Sequence, residues 1–174
     1  LEQAPGLRPQ ASGLGPQASG LRSEASESDV CIERHRRPQP RVRLGVALAR
    51  ARVATAAMDL SDGLADALRQ VAAASGVGVR IDAETLPLGE GARAWWQARG
   101  VDPVVAALGG GDDYELLFSV PRSRGRALGA VMRRFTDVPL SKIGVVTKDP
   151  TERALVRGST VDQLPEGFLH FAHR

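Results

Sequence analysis

The sequence is poor in cysteine, lysine and aromatic residues. Cys31 is the only cysteine among 174 residues, which excludes a disulfide within the chain and a zinc site built from several cysteines. All but two of the 23 basic residues are arginines, the exceptions being Lys142 and Lys148. The net charge is only +3, and aromatic residues make up 4% of the chain. Because it has neither a basic stripe nor interleaved aromatic residues, we expect no nucleic-acid-binding surface.

Long apolar runs are also missing. No stretch reaches the roughly 20 apolar residues that a membrane-spanning helix needs, and the N-terminus lacks the basic and then apolar layout of a signal peptide. We therefore expect no membrane segment and a cytoplasmic location. The apolar fraction of 43% and the charged fraction of 25% are close to globular averages, and the length suits a single domain.

Residues 1–37 do not have the composition of a folded domain. Three seven-residue units, GLRPQAS, GLGPQAS and GLRSEAS, follow one another between Gly6 and Ser26. Each unit has one leucine and carries glycine, and two carry proline, so the repeat is not a coiled coil. With so little apolar surface to bury, we predict that residues 1–37 form a disordered tail and that one domain covers 38–174.

Strand and helix patterns alternate from Pro38 onward. Helices are predicted over 42–51, 63–75, 92–99, 102–108 and 122–135, and strands over 53–58, 77–82, 114–120 and 140–146. A hairpin is predicted around Gly158-Ser159. This order favours the α/β class, here an α+β sandwich in which helices cover one mixed sheet.

The stretch Met58-Asp59-Leu60-Ser61-Asp62-Gly63 lies where a predicted strand ends and a helix begins. Two carboxylates and a hydroxyl at such a junction are the oxygen ligands that Mg²⁺ takes together with substrate phosphates. Asp or Ser at the start of a helix is equally typical of an N-cap, which accepts hydrogen bonds from the first turn. These residues alone leave both interpretations open, and the two are compatible.

A second acidic cluster follows a run of glycines, Gly109-Gly110-Gly111-Asp112-Asp113. It is not a Walker loop, because no Lys-Ser/Thr pair follows the glycines, and it does not match the dinucleotide-binding pattern GxGxxG. A flexible turn between a helix and a strand is the alternative to a phosphate-binding loop. Our hypothesis is that the two acidic turns meet at one edge of a sheet and share cations.

Other chemistries receive little support from the sequence. His35, His170 and His173 lie near the chain ends, far from any Ser or Cys elbow, so a histidine-based catalytic triad is not expected. Asp59 and Asp62 could form a general acid and base pair, but nothing in the sequence favours that interpretation.

Four motifs together are similar to one family. ATAAMDLSDGLADALRQVAAASGVGVRID, ALGGGDDYELLFSVP, KIGVVT and LPEGFLHF resemble, in this order, the C-terminal domain of thiamine-monophosphate kinase, a member of the aminoimidazole-ribonucleotide-synthetase superfamily. The resemblance covers roughly residues 38–171. It implies ATP-dependent phosphorylation of thiamine monophosphate to thiamine diphosphate, with Mg²⁺ as cofactor and ATP as co-substrate.

The resemblance also implies roles for five residues. Asp59 and Asp62 would bind Mg²⁺, and Ser61 would contact ATP. Asp112 would help to hold the substrate at a position where the family usually has Glu, and Phe168 would lie near the thiamine moiety.

Family members also have an N-terminal domain of comparable size, which supplies further aspartates and much of the nucleotide site. We expect this chain to lack that domain and to have little activity alone, unless a separate N-terminal domain or a homodimer partner completes the site. Two alternatives stay open: another synthetase of the same superfamily, or a non-catalytic binding domain that has kept the fold.

Overall fold

The computed structural model of the chain describes residues 27–167. The heptapeptide repeat, and with it the predicted disorder of residues 1–26, lies outside the described residues, as does Phe168. In chain order the helices and strands are α1 Glu27–Arg36, α2 Val42–Arg50, β1 Ala56–Asp59, α3 Leu64–Ser75, β2 Gly78–Asp82, α4 Glu90–Gln97, α5 Pro103–Gly109, β3 Leu116–Ser119, α6 Gly125–Met132, β4 Gly144–Thr147, β5 Arg153–Arg157 and β6 Thr160–Gln163. None of these helices is long and apolar enough to span a bilayer.

Helix α1 differs from the predicted disorder of residues 1–37. Residues 27–36 are helical and pack against α4, with the Cys31 sulfur 3.9 Å from the place where a Cβ at Gly89 would stand. The physical reason is local, because residues 27–37 contain neither the glycine nor the proline that interrupt the preceding repeat. Basic residues fill the last turn of α1, where they complement the helix dipole.

The strands form two sheets, not the single sheet expected from the sequence. One has four strands in the order β4-β2-β5-β6, and the other pairs β1 with β3. The larger sheet is mixed, since β2 runs parallel to β5 and antiparallel to β4. The α/β class is therefore confirmed, with a mixed sheet covered by helices, while β1 and β3 stand apart from that sheet.

Two hydrophobic clusters explain why β1 and β3 stand apart. The larger cluster joins α3 and α5 to the four-stranded sheet, and the smaller one joins α2 to α6. Strand β3 contributes to both, because Leu117 packs on the larger cluster while Leu116 and Phe118 pack on the smaller one. Successive side chains of a strand point to opposite faces, so β3 lies between the two cores and contributes side chains to both.

Helix α3 follows β1 and leads away from its end. Ala65, Leu68 and Ala72 are buried at helical spacing and pack in the larger cluster. The helix ends at Gly76, whose φ of 62° is left-handed, a conformation that glycine commonly adopts where a helix ends. A short turn separates the end of β1 at Asp59 from the start of α3 at Leu64.

Candidate functional site

The first acidic turn, residues 59–63, connects β1 to α3. Asp59 is the last residue of β1 and is exposed, while Ser61 and Asp62 are half-buried. The N-cap position of α3 is occupied by Gly63. The cap interpretation of this stretch expects Asp or Ser at that position, and neither residue occupies it.

The second acidic turn, residues 109–115, connects the end of α5 to β3. Asp112 and Tyr114 have φ angles of 64° and 51°. This left-handed region is uncommon for residues other than glycine and costs about 1–2 kcal/mol per residue. The surroundings must therefore hold the turn in place.

The two acidic turns are hydrogen-bonded to each other. The backbone N–H of Asp112 donates to the carbonyl oxygen of Ser61 at 2.8 Å, and that of Tyr114 donates to Leu60 at 3.1 Å. In the opposite direction, the N–H of Leu60 donates to the carbonyl oxygen of Glu115 at 2.9 Å. These bonds continue the β1–β3 pairing, which ends at Asp59 opposite Leu116. The meeting of the two acidic turns is confirmed, whereas the sharing of cations stays a prediction.

Glycines permit this close approach. A Cβ at Gly63 would stand 2.1 Å from the carbonyl oxygen of Gly110, and a Cβ at Gly111 would stand 2.8 Å from that of Ser61. Gly63 also has a φ of 92°. A side chain at either glycine would separate the backbones of the two turns, so these positions require glycine.

The carboxylates of the second turn repel one another. The pKa of Asp113 is raised to about 6, first because atoms packed around its carboxyl group desolvate it and then because Glu115 and Asp112 are negatively charged. The residue as a whole is nevertheless exposed, so water still reaches it. A cation placed here would relieve the repulsion.

Arg41 and Glu115 form an ion pair that the sequence analysis missed. Arg41 immediately precedes α2, and its guanidinium donates from Nε to Oε2 of Glu115 at 2.8 Å and from Nη2 to Oε1 at 2.6 Å. The hydrogen bond to Glu115 is the largest cause of the raised pKa of Arg41. The two residues are 74 positions apart, and no local pattern in the sequence connects them.

The C-terminal segment, residues 164–167, lies beside the first turn of α3. The Leu164 side chain is buried, and the Arg69 guanidinium donates to the carbonyl oxygens of Leu164 at 2.5 Å and Pro165 at 3.2 Å. A Cβ at Gly167 would stand 2.5 Å from the Cβ of Asp66. The segment thus reaches the helix that follows the first acidic turn, and the predicted role of Phe168, the next residue, stays a prediction.

The donor set suits a cation that brings its own phosphate ligands. Within residues 27–167, no group of three or more His, Cys, Asp or Glu side chains is arranged to hold a metal ion, so a site made of protein ligands alone is not formed. Proteins usually supply only one or two carboxylate ligands to Mg²⁺, and water and substrate phosphates fill the other coordination positions. Carboxylates and a serine hydroxyl between a strand and a helix fit this pattern. By residue type, Asp59, Ser61 and Asp62 are suitable as the protein ligands of such a site.

Comparison with known proteins gives one family model and several relatives. The model of the AIR synthase related protein, C-terminal domain, matches residues 7–157. That match begins within the repeat, and the predicted boundary at residue 38 stays a prediction. Thiamine-monophosphate kinase of Escherichia coli is 38% identical over 154 residues, which are 86% of this chain and 45% of that protein. The chain thus spans less than half the length of this relative.

Solved structures agree with the sequence relatives. The crystal structure of thiamine-monophosphate kinase from Stenotrophomonas maltophilia is similar with a TM-score of 0.62 and 36% identity, over 72% of this chain and 38% of that one. A complex described as AaThiL with AMPPCP and TMP is similar with a TM-score of 0.56 and 32% identity, over 69% of this chain and 36% of that one.

Proposed function

Since this chain belongs to the family described as AIR synthase related protein, C-terminal domain, we propose that it provides part of an enzyme that phosphorylates thiamine monophosphate to thiamine diphosphate with ATP. The observation that supports this most directly is the hydrogen-bonded pair of acidic turns. The names of the relatives and the complex with AMPPCP and TMP support the choice of substrates.

Five residues have roles in this proposal. Asp59 and Asp62 hold Mg²⁺, Ser61 positions a phosphate of ATP, Asp112 helps to hold thiamine monophosphate, and Phe168 contacts the thiamine rings. When bound, Mg²⁺ neutralises charge on the transferred phosphoryl group. The chain's own contribution is to fix carboxylates and backbone groups at one place, so that the two phosphate-bearing substrates meet in line.

The chain supplies only part of the active site in this proposal, which is the division of labour tested below. The described residues hold no group of three His, Cys, Asp or Glu side chains that could bind a metal ion, and phosphoryl transfer depends mainly on positioning and on charge neutralisation. We therefore propose that these 174 residues alone form little or no thiamine diphosphate. The part of the relatives that this chain does not span, or a second copy of the chain, would supply the remaining ligands. The cytoplasmic location stays a prediction.

The test measures thiamine diphosphate formed from thiamine monophosphate, ATP and Mg²⁺. It compares the chain alone with the chain mixed with the part of the Escherichia coli relative that it does not span. We expect activity only in the mixture. Asp59→Asn and Asp62→Asn should each lower that activity by about a hundredfold, while Asp162→Asn, an exposed carboxylate on β6, should leave it unchanged.

Three outcomes would count against parts of the proposal. Robust activity of the chain alone would refute the division of labour. Full activity of Asp62→Asn in the mixture would refute the metal-holding role. If calorimetry shows no binding of thiamine monophosphate or AMPPCP with Mg²⁺ to the mixture, the non-catalytic alternative replaces the kinase.

A further inference from the structure

The Arg41–Glu115 pair is a bidentate ion pair that restrains both side chains. Two parallel hydrogen bonds of 2.8 and 2.6 Å join the two side chains, and such a fork restrains orientation as well as distance. The Arg41 side chain is only 17% exposed, so packing around its stem restrains it further. Arg41 therefore offers Glu115 a firm support from the start of α2.

Glu115 is held on two sides. Its carbonyl oxygen accepts the N–H of Leu60 in the first acidic turn, and its carboxylate accepts the Arg41 fork. Immediately before it stands Tyr114, with a left-handed φ of 51°, and Asp112 has a φ of 64°. Non-glycine residues persist in such conformations only where their surroundings over-determine them, and Arg41 supplies the side-chain part of that restraint.

We propose that Arg41 is a positioning residue, which through Glu115 keeps the second acidic turn in register with the first. It touches neither the metal nor the substrate in this role. The inference depends on the proposed function only for its kinetic test. It adds to that function a residue outside both turns that determines whether the turns are correctly placed.

The chain contains a matched control pair on the four-stranded sheet. Arg80 on β2 donates from Nε and Nη2 to Oε1 of Glu152 at 2.8 and 2.5 Å, and these residues are 72 positions apart. This pair also joins distant segments of the chain, but it supports neither acidic turn. Arg80→Met therefore removes a second long-range ion pair, whose arginine side chain is more exposed than that of Arg41, without affecting the Arg41–Glu115 pair.

The first test measures amide hydrogen exchange by NMR at Asp112 and Tyr114, whose N–H groups bond to the first turn. We expect Arg41→Met to speed both exchange rates at least about tenfold after correction for global stability, and Arg80→Met to leave them within about twofold. Arg41→Lys, which keeps the charge but cannot form the fork, should be intermediate. Unchanged protection in Arg41→Met would overturn the inference.

A second variant covers the case in which Arg41→Met does not fold. Glu115→Gln keeps the side-chain shape and removes the charge that the guanidinium binds, so the same acceleration at Asp112 and Tyr114 is expected. If Glu115→Gln folds and leaves both amides protected, the inference is likewise overturned.

The kinetic test uses the reconstituted mixture described above. Arg41→Met should lower kcat for thiamine diphosphate formation at least about tenfold, because small misplacements cost large factors in rate, and Arg80→Met should leave kcat unchanged. Faster exchange with wild-type kcat and KM would overturn the positioning role. If the wild-type mixture forms no thiamine diphosphate, the proposed function fails and the exchange result alone decides the inference.

Discussion

Gly63 stands where an added side chain would collide with the second acidic turn. Its φ of 92° and ψ of 163° lie in a region that is essentially restricted to glycine, and a Cβ there would collide with the carbonyl oxygen of Gly110. We expect Gly63→Ala to lower the free energy of unfolding by about 3 kcal/mol or more. Urea unfolding followed by circular dichroism measures this change.

Gly100→Ala is the matched control for that substitution. Gly100 also has a positive φ, of 67°, but no heavy atom lies within 4 Å of the place where its Cβ would stand. The control should therefore lose only the backbone term, about 1–2 kcal/mol. Equal losses in the two variants would show that the close approach of the turns does not constrain Gly63.

The ionised Asp113 carboxylate lowers the stability of the folded chain in a pH-dependent way. Its pKa is raised in the folded chain to about 6, mainly by desolvation, so the folded state binds the proton more tightly than the unfolded state. Stability should therefore fall as the pH rises from about 4 through 6. Asp113→Asn removes this cost, and at pH 7 it should stabilise the chain by about 1 kcal/mol once solvent screening of an exposed group is allowed for.

Asp149→Asn provides a control of opposite sign. The hydroxyl and the N–H of Thr151 donate to the Asp149 carboxylate and lower its pKa. This carboxylate therefore stabilises the fold above its unfolded pKa, and the contribution is lost as the pH falls. Denaturant titrations at pH 4 and pH 7 should show the two variants shifting in opposite directions. A shift in the same direction for both would contradict this account.

The residues of the candidate site could be predicted from the sequence where their type carries the chemistry. Carboxylates beside glycines are recognisable at Asp59, Asp62 and Asp112, and the structure brings their two turns together. Arg41 could not be predicted in this way, because a pairing across 74 positions depends on how α2 packs. The positive φ at Asp112 has no sequence signal either, although Asp is among the residues that tolerate it.

At the scale of elements, the cap of α5 shows how one residue can fix a helix. The Asp102 carboxylate accepts the N–H groups of Val104 and Val105 at 2.8 and 3.4 Å and pairs with Arg157 at 2.7 Å. We expect Asp102→Ala to destabilise the chain by about 1–2 kcal/mol. Asp102→Asn keeps an acceptor for the helix and removes the charge, so thermal unfolding of the two variants separates the cap from the ion pair.

The pH dependence of the Asp102 contribution follows from its lowered pKa. Burial alone would raise this pKa, but the hydrogen bonds from Arg157 and from the N–H of Val104 outweigh it. The stabilisation is therefore present above the unfolded pKa and is lost as the pH falls below about 4. A stability difference between wild type and Asp102→Ala that grew as the pH fell from 5 to 3 would contradict this.

Most elements could be predicted from local patterns, but their ends and partners could not. The helix ended by Gly76 and the hairpin at Gly158 occur where expected, because glycine conformations are local. The strand predicted over 140–146 is β4, Gly144–Thr147, since pairing with β2 determines which residues join the ladder. Likewise, YELLFSV predicts a strand, yet its membership in a separate sheet depends on two cores that local periodicity cannot reveal.

At the scale of the whole molecule, the two acidic turns are the point where distant parts of the chain converge. The first turn leads into α3 of the larger cluster, and the second is joined through Arg41 to α2 of the smaller cluster. The C-terminal segment reaches the same helix α3 through Arg69. A ligand bound between the turns would therefore be connected to both cores through these segments.

The position of β3 between the two cores has a thermodynamic consequence. Because Leu117 packs on one core while Leu116 and Phe118 pack on the other, we expect the two cores to open as separate cooperative units that share one strand. A ligand that binds only when both turns are in place stabilises the state in which both units are folded. We expect AMPPCP with Mg²⁺ to merge separable unfolding steps into one. In differential scanning calorimetry, the unfolding endotherm should become narrower and shift to higher temperature.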